Sequence, residues 1–254
     1  MSDAVITEEQ QGVLIVTLNR PEARNAVNAA VAAGVAEAMD RLDDSPQLRV
    51  GVLTGAGGTF CAGMDLKAFV RGESAVVEHR GFAGLVERPS AKPLIAAVEG
   101  YALAGGFEIA LSCDLVVAAQ SASFGIPEVK RGLVAAGGGL LRLPSRIPYH
   151  YAMELALLGN SVPAPRMHEL GLVNRLVPEG EALTVARALA AEIARNGPLA
   201  TAASKKIIVE SAGWNSRQAW ARQDEIAGPV LQSEDAREGA VAFAEKRSPR
   251  WTGR

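Results

Sequence analysis

The sequence predicts an α/β protein, built as a succession of small strand–strand–helix units and closed by a helical C-terminal region. Three observations predict it. The strand–strand–helix cadence recurs at least twice before about residue 125, where a plain βαβ alternation gives one strand per helix. Beyond Gly139 the apolar residues fall almost throughout at helical spacing. With 254 residues, 48% of them hydrophobic, the chain can bury one substantial core.

Residues 4–7 and 13–18 are short β-branched runs separated by a polar stretch, which predicts a hairpin. Asn19-Arg20-Pro21 stops the second strand. Asn28 is placed to cap a helix in which Val31, Val35, Ala38, Met39 and Leu42 build one apolar face, and Ser45-Pro46 ends it. Residues 48–54 read as a buried strand leading into Gly55-Ala56-Gly57-Gly58. Those glycines suit a loop with positive φ; they lack both the Gly-Lys-Ser/Thr ending of a phosphate loop and a G-x-G-x-x-G spacing. An apolar bend at 60–67 then turns into a helix, and backbone N–H groups at such a bend can point into a cavity.

A helix is predicted over 74–88, ended by Pro89, then a buried strand over 93–98 and a helix over 104–112 opening at Gly105-Gly106. Residues 114–119 and 123–124 read as strands. Further helices are predicted at 149–158, 163–170, 181–195, 198–210, 214–227 and 233–246. Asn196-Gly197-Pro198 is a helix stop followed by a proline start, dividing a core of residues 1–197 from a helical region of residues 198–254. That last region is too short to bury a helical core alone, so it packs on the body or on another subunit.

The formal charge of −2, with acidic and basic residues interleaved, excludes a broad nucleic-acid surface. Cys61 and Cys113 form no close pair, and His79, His150 and His168 are scattered; neither a disulfide framework nor a metal site is expected. The N-terminal residues have no signal-peptide pattern, and no apolar run approaches the ~20 residues of a membrane span, so a cytoplasmic protein is expected.

The chemistry concentrates in residues 95–139. Glu108 lies between Phe107 and Ile109-Ala110-Leu111, one turn into a helix. Such a residue is either a structural ion pair or a carboxyl whose apolar setting raises its pKa toward neutrality, where it can exchange protons. Glu128, after Ile126-Pro127, either caps a helical turn or plays the same part. The helix opening at Gly105 presents unpaired N–H groups and the positive end of its dipole, and a glycine there lets a ligand approach the backbone. A second donor from the Gly63-Met64 bend would complete a two-donor oxyanion hole.

Three segments, F-C-A-G-M-D-L-K at 60–67, I-A-A-V-E-G-Y-A-L-A-G-G-F-E-I-A-L-S-C-D at 95–114 and F-G-I-P-E-V-K-R-G at 124–132, closely resemble the signature segments of the crotonase superfamily, the enoyl-CoA hydratase/isomerase family. The resemblance extends over nearly the whole chain, from L-N-R-P-E-A-R-N-A at 18–26 to F-A-E-K-R at 243–247. It implies a crotonase-like spiral of ββα units with a C-terminal helical trimerisation region, commonly assembled as a trimer or a dimer of trimers. It implies an acyl-CoA thioester as substrate, with no cofactor beyond the CoA that the substrate carries. Met64 and Gly105 would be the oxyanion donors, and Glu108 and Glu128 the two catalytic glutamates. Met64, Asp65, Leu66 and Lys67, with Ala62, would line the pantetheine and acyl entrance. Arg24 and Ala26 would lie near the CoA nucleotide, and Phe243 and Lys246 would reach CoA from a neighbouring subunit. Possession of both glutamates favours hydration of a 2-enoyl-CoA over Δ3,Δ2-enoyl-CoA isomerisation; dehydration of a hydroxyacyl-CoA such as a carnitinyl-like substrate is the same reaction reversed. A non-catalytic acyl-CoA-binding protein is the alternative from another class.

One departure stands out. Hydratases of the best-known type continue from the second glutamate through Gly-x-x-Pro-Gly-x-Gly-Gly-Thr, whereas this chain reads G-L-V-A-A-G-G-G-L at 132–140, without that proline and threonine. The change is either drift in a loop or a change in the preferred acyl group.

Overall fold

The structure, a computed structural model, describes residues 4–254. Strands β1 (Val5–Gln10) and β2 (Val13–Leu18) pair antiparallel around Gln11 and Gly12, both at positive φ. Helix α1 (Ala29–Asp44) begins where the Asn28 side chain accepts from the Val31 N–H at 3.1 Å, and its five expected core residues are all buried. There follow β3 (Val50–Gly55), α2 (Leu66–Val70), β4 (Val76–Val77), β5 (Gly81–Phe82), β6 (Leu94–Val98), β7 (Tyr101–Leu103), α3 (Gly105–Ser112), β8 (Leu115–Ala119) and β9 (Ser123–Gly125). A 3-10 turn at Pro127–Arg131 leads to α4 (Gly139–Arg146), α5 (Tyr149–Leu158), β10 (Val162–Pro163), α6 (Ala164–Glu169), β11 (Arg175–Val177) and α7 (Ala182–Ala194). Helices α8 (Pro198–Ser211), α9 (Ala219–Leu231) and α10 (Glu234–Ala244) end the chain.

The main sheet has the order β1-β2-β3-β6-β8-β11, parallel except for the opening hairpin. Parallel strands are covered on both faces, and the side chains divide accordingly. Val13, Ile15, Val52, Ile95, Ala97 and Val117 pack with Ala182, Ala186 and Ala190 of α7. Their neighbours Leu14, Val16, Leu53, Ala96 and Ala118 belong to the larger cluster shared with α1 and α3. A second, three-stranded sheet, β10-β9-β7, stands beside it and carries the site.

Residues 74–88 are not a helix. They form the small β4–β5 hairpin and turns, with His79, Gly81, Ala83 and Gly84 at positive φ. The reason is tertiary: a Cβ at Gly84 would collide with α1 at Ala32 and Ala36, and buried Arg80 is ion-paired with Asp40 of α1. The segment is therefore wrapped against α1 instead of coiled on itself. The sequence pattern also gave no sign of β7, α4 or β11, all of which are short.

Lys92 closes the C-terminal end of α1. Its Nζ donates to the carbonyls of Leu42 (2.8 Å), Ser45 (2.6 Å) and Leu48 (2.8 Å). Hydrogen bonds from a charged donor are among the stronger ones, so Lys92→Met is expected to cost about 2–3 kcal/mol, read as a lower denaturant midpoint at unchanged m-value.

Helices α8–α10 bury only Asp235 and Ala242 among their described side chains. They are tied to the body by Lys205, which donates to Asp114 Oδ2 (2.7 Å) and the Lys92 carbonyl (2.9 Å).

Candidate active site

The loop that leads into α2 packs against the mouth of α3. The bend at residues 60–64 runs alongside β7: Cys61 N–H donates to the Tyr101 carbonyl at 2.8 Å, and Leu103 N–H to the Cys61 carbonyl at 3.0 Å. Gly106 lies so close to the Cys61 carbonyl that a Cβ there would overlap it. The bend thereby arrives at Gly63, whose φ is +97°, and a Cβ at Gly63 would stand 3.1 Å from the Gly105 nitrogen. Val27 holds the next residue by a parallel bridge, in which Val27 N–H donates to the Gly63 carbonyl and Asp65 N–H to the Val27 carbonyl. This leaves the N–H of Met64, like that of Gly105 in the first turn of α3, without a backbone acceptor. The bend that carries Met64 is thus packed on the N-terminus of α3, which carries Gly105.

Glu108 follows Gly105 in α3, and Glu128 comes near enough to Glu108 for the Glu108 charge to be felt. Glu108, in the first turn of α3, is 4% exposed, and its Oε1 accepts from the Gly139 N–H at 2.9 Å. Burial pushes its carboxyl above the usual range; the N–H groups of Gly139 and Gly137 and the nearby Arg142 charge oppose that rise. Glu128 stands on the turn Pro127–Arg131, and its Oε2 is buried with no hydrogen-bond partner. Burial raises its carboxyl too; its own backbone N–H and the Arg131 charge oppose the rise, and the Glu108 charge adds to it. Burial thus favours the neutral acid at both carboxyls, and Glu128 stands close enough to Glu108 for the Glu108 charge to act on it.

Other expected site residues are distributed less compactly. Asp65 caps α2 by accepting from the Lys67 and Ala68 N–H groups and pairs with Arg20 at 2.9 Å. Burial pulls its carboxyl up, but the Ala68 N–H and the Arg20 guanidinium hold it below the usual carboxylate range. Its carboxylate is thus committed to the protein. Leu66 and Lys67 are exposed on α2, and Ala62 is half-buried. Arg24, at φ +52°, is exposed, with its carbonyl accepting from the Ala62 N–H; Ala26 is half-buried, with its carbonyl on Arg20. Phe243, in α10, is 87% exposed, and Lys246 just beyond it is exposed at positive φ. Helix α10 packs chiefly on α9, away from the elements that carry the glutamates.

Sequence reasoning missed several contributors. Asn25 is fully buried at positive φ, and it ties Arg20 to the carbonyls of Ala56 and Thr59, fixing the loop that leads into the bend. Phe82 places its ring where a Cβ of Gly105 would be. Gly137 and Gly139 meet the Glu108 carboxylate: Cβ atoms there would stand 2.6 Å from Oε2 and 3.0 Å from Oε1. The glycine cluster that departs from the best-known hydratases is, in this chain, a seat for Glu108. Among the described residues no group of His, Cys, Asp and Glu is arranged to hold a metal ion, and no helix is long and apolar enough to cross a membrane.

Residues 8–254 match the model of the enoyl-CoA hydratase/isomerase family. The chain is 45% identical to enoyl-CoA hydratase EchA19 of Mycobacterium tuberculosis over 99% of its own length and 97% of the relative's. It is 42% identical to carnitinyl-CoA dehydratase of Escherichia coli K12 over the full length of both. The crystal structure of enoyl-CoA hydratase EchA1 from Mycobacterium marinum superposes with a TM-score of 0.98 at 63% identity, covering both chains completely. The expected fold is thereby confirmed, and the chain belongs to the enoyl-CoA hydratase/isomerase family, with the crotonase fold.

Proposed function

We propose that this enzyme adds water across the C2=C3 double bond of a 2-enoyl-CoA thioester, or removes it in the reverse direction. The observation that carries the reading is the pairing of buried Glu108 and half-buried Glu128, whose Oε2 is buried and unpartnered, with two N–H groups that lack a backbone acceptor, that of Gly105 at the start of α3 and that of Met64 in the bend packed on it. The thioester oxygen accepts from Met64 and Gly105, and negative charge moving onto it during attack at C3 is stabilised by about 3 kcal/mol per donor. Glu108 takes the proton from water and Glu128 delivers one to C2. This division is supported by the surroundings. Glu108 has N–H donors and a guanidinium favouring its anion; Glu128 has an unpartnered oxygen and an anionic neighbour favouring its acid.

Leu66, Lys67, Ala62 and the backbone at Asp65 line the entrance for pantetheine and acyl chain, with Arg24 and Ala26 beside the nucleotide. We assign residues 198–254 to assembly into a trimer or a dimer of trimers, which would cover exposed Trp220 (73%) and Leu231 (77%) and bring Phe243 and Lys246 to a neighbour's CoA. The reading calls for no cofactor and for a cytoplasmic enzyme.

A panel of 2-enoyl-CoAs of increasing chain length, followed by loss of the enoyl-thioester absorbance, tests it. Hydration of at least one member is expected. Turnover of 3-enoyl-CoA without hydration would make the protein an isomerase, and tight acyl-CoA binding with no turnover a binding protein. The carnitinyl-CoA dehydratases at 41–42% identity favour including a 3-hydroxyacyl-CoA of the carnitinyl type, run in the dehydrating direction.

A further inference from the structure

Helix α4 holds a cation whose own hydrogen bonds lie away from the reacting atoms. Its first residue, Gly139, donates to Glu108, and one turn later Arg142 donates through Nη2 to the carbonyl of Val86, in the connection between β5 and β6. The Arg142 Nη1 occupies the place that a Cβ of Gly138 would take. One half-buried guanidinium thus spans the glycine loop and a distant strand connection, while Leu141 on the same helix is 85% exposed.

We infer that Arg142 is a positioning residue for Glu108: by tying the first turn of α4 to the Val86 carbonyl, it keeps the glycine loop at residues 137–139, with its N–H groups, closed on the Glu108 carboxylate. The inference rests on Glu108 being the proton-accepting carboxylate of the reading above. A carboxylate at a helix N-terminus is stabilised by unpaired N–H groups only while they point at it, and a cation at the same end adds to the effect. The charged groups that face Glu108 are Glu128, from the turn after β9, and Arg142; Arg146, one turn further along α4, acts on Arg142 by repulsion, and β7 brings only the exposed Tyr101 phenol. Arg142 is therefore the only cation acting directly on Glu108 among the described groups. Its removal takes away a positive charge and frees the loop that carries the donors. Both changes favour the neutral acid, so the proton-accepting form is reached only at higher pH.

The test compares full-length wild type with Arg142→Gln and Arg142→Lys. The acidic limb of kcat for 2-enoyl-CoA hydration is expected to move up by about 1 pH unit in the Gln variant, with KM held within ~3-fold. Lysine keeps the charge and loses the fork, so its limb is expected between those of wild type and Arg142→Gln. Isotope-edited infrared titration of the Glu108 carboxyl band, assigned by its loss in Glu108→Gln, follows the same proton without turnover. A purely structural role would lower kcat equally at every pH and leave the band's midpoint in place; that result overturns the inference. If Arg142→Gln does not fold, Arg142→Lys decides, since a limb and band at the wild-type position would contradict the fork's role. A wild type that hydrates no enoyl-CoA sinks the proposed function, and the infrared midpoints still decide the part played by Arg142.

Discussion

Glu128→Gln is expected to lower hydration of a 2-enoyl-CoA at least ~10²-fold while raising the melting temperature at neutral pH. The two effects have one cause. The Glu128 carboxyl is raised by burial and by the Glu108 charge, so the folded state holds a proton that the unfolded chain releases at about the ordinary glutamate value of 4.5. Stability therefore falls as pH rises from that value through the folded one, and the whole penalty is present above it. Glutamine removes the penalty together with the proton donor. Thermal melts of wild type and variant should coincide in their Glu128 contribution below pH 4.5 and separate in the variant's favour near pH 7.5. Glu108→Gln is expected to lose turnover comparably, with a smaller gain in stability, because Oε1 already has the Gly139 N–H as partner. Near-wild-type hydration by either variant would remove the two-carboxylate mechanism.

Gly106→Ala is expected to cut kcat by about 10²-fold with both glutamates and both oxyanion donors unaltered in sequence. Gly106 has no positive φ; its constraint is contact, since the added Cβ would run into the Cys61 backbone carbonyl. Backbone cannot swing aside as a side-chain tip can, so the bend at residues 60–64 must back away from α3. Met64 N–H then separates from Gly105 N–H, and an oxyanion hole works only when both donors reach one oxygen. The overpacking should also cost about 1–3 kcal/mol. Because the loss lies in stabilising developing charge, it should appear in kcat more than in KM. An unchanged kcat would show that the Cys61–Gly106 contact does not set the spacing of the donors.

Glu108 stood out in the sequence because a charged residue inside an apolar run is conspicuous without any knowledge of contacts, and α1 was legible because its cap and its 3–4-residue periodicity are local; Glu128, followed by Val129-Lys130-Arg131, was given its role by the family resemblance. Helices α5 to α8 and α10 were read for the same reason, α5 with its bounds at Tyr149–Leu158, whereas α9 runs Ala219–Leu231 where a helix over 214–227 was expected. Residues 74–88 misled because their spacing permits a helix, and only contact with α1 at Ala32, Ala36 and Asp40 imposes the turns. Helix α4 was hidden by the two glycines before it, by Gly139 at its start and by Pro144 within it.

By itself, then, the sequence determined which residue types could do acid–base and oxyanion chemistry, and that strands and helices would alternate in small units. The tertiary structure decided that the bend carrying Met64 packs on the N-terminus of α3, which carries Gly105, through a bend zipped to β7 and a glycine with no room for a methyl group. It also decided that the glycines at 137–139 cradle Glu108. Propensity and periodicity are properties of neighbours along the chain, whereas these distances are set by groups about thirty to forty-five positions apart packing directly on one another.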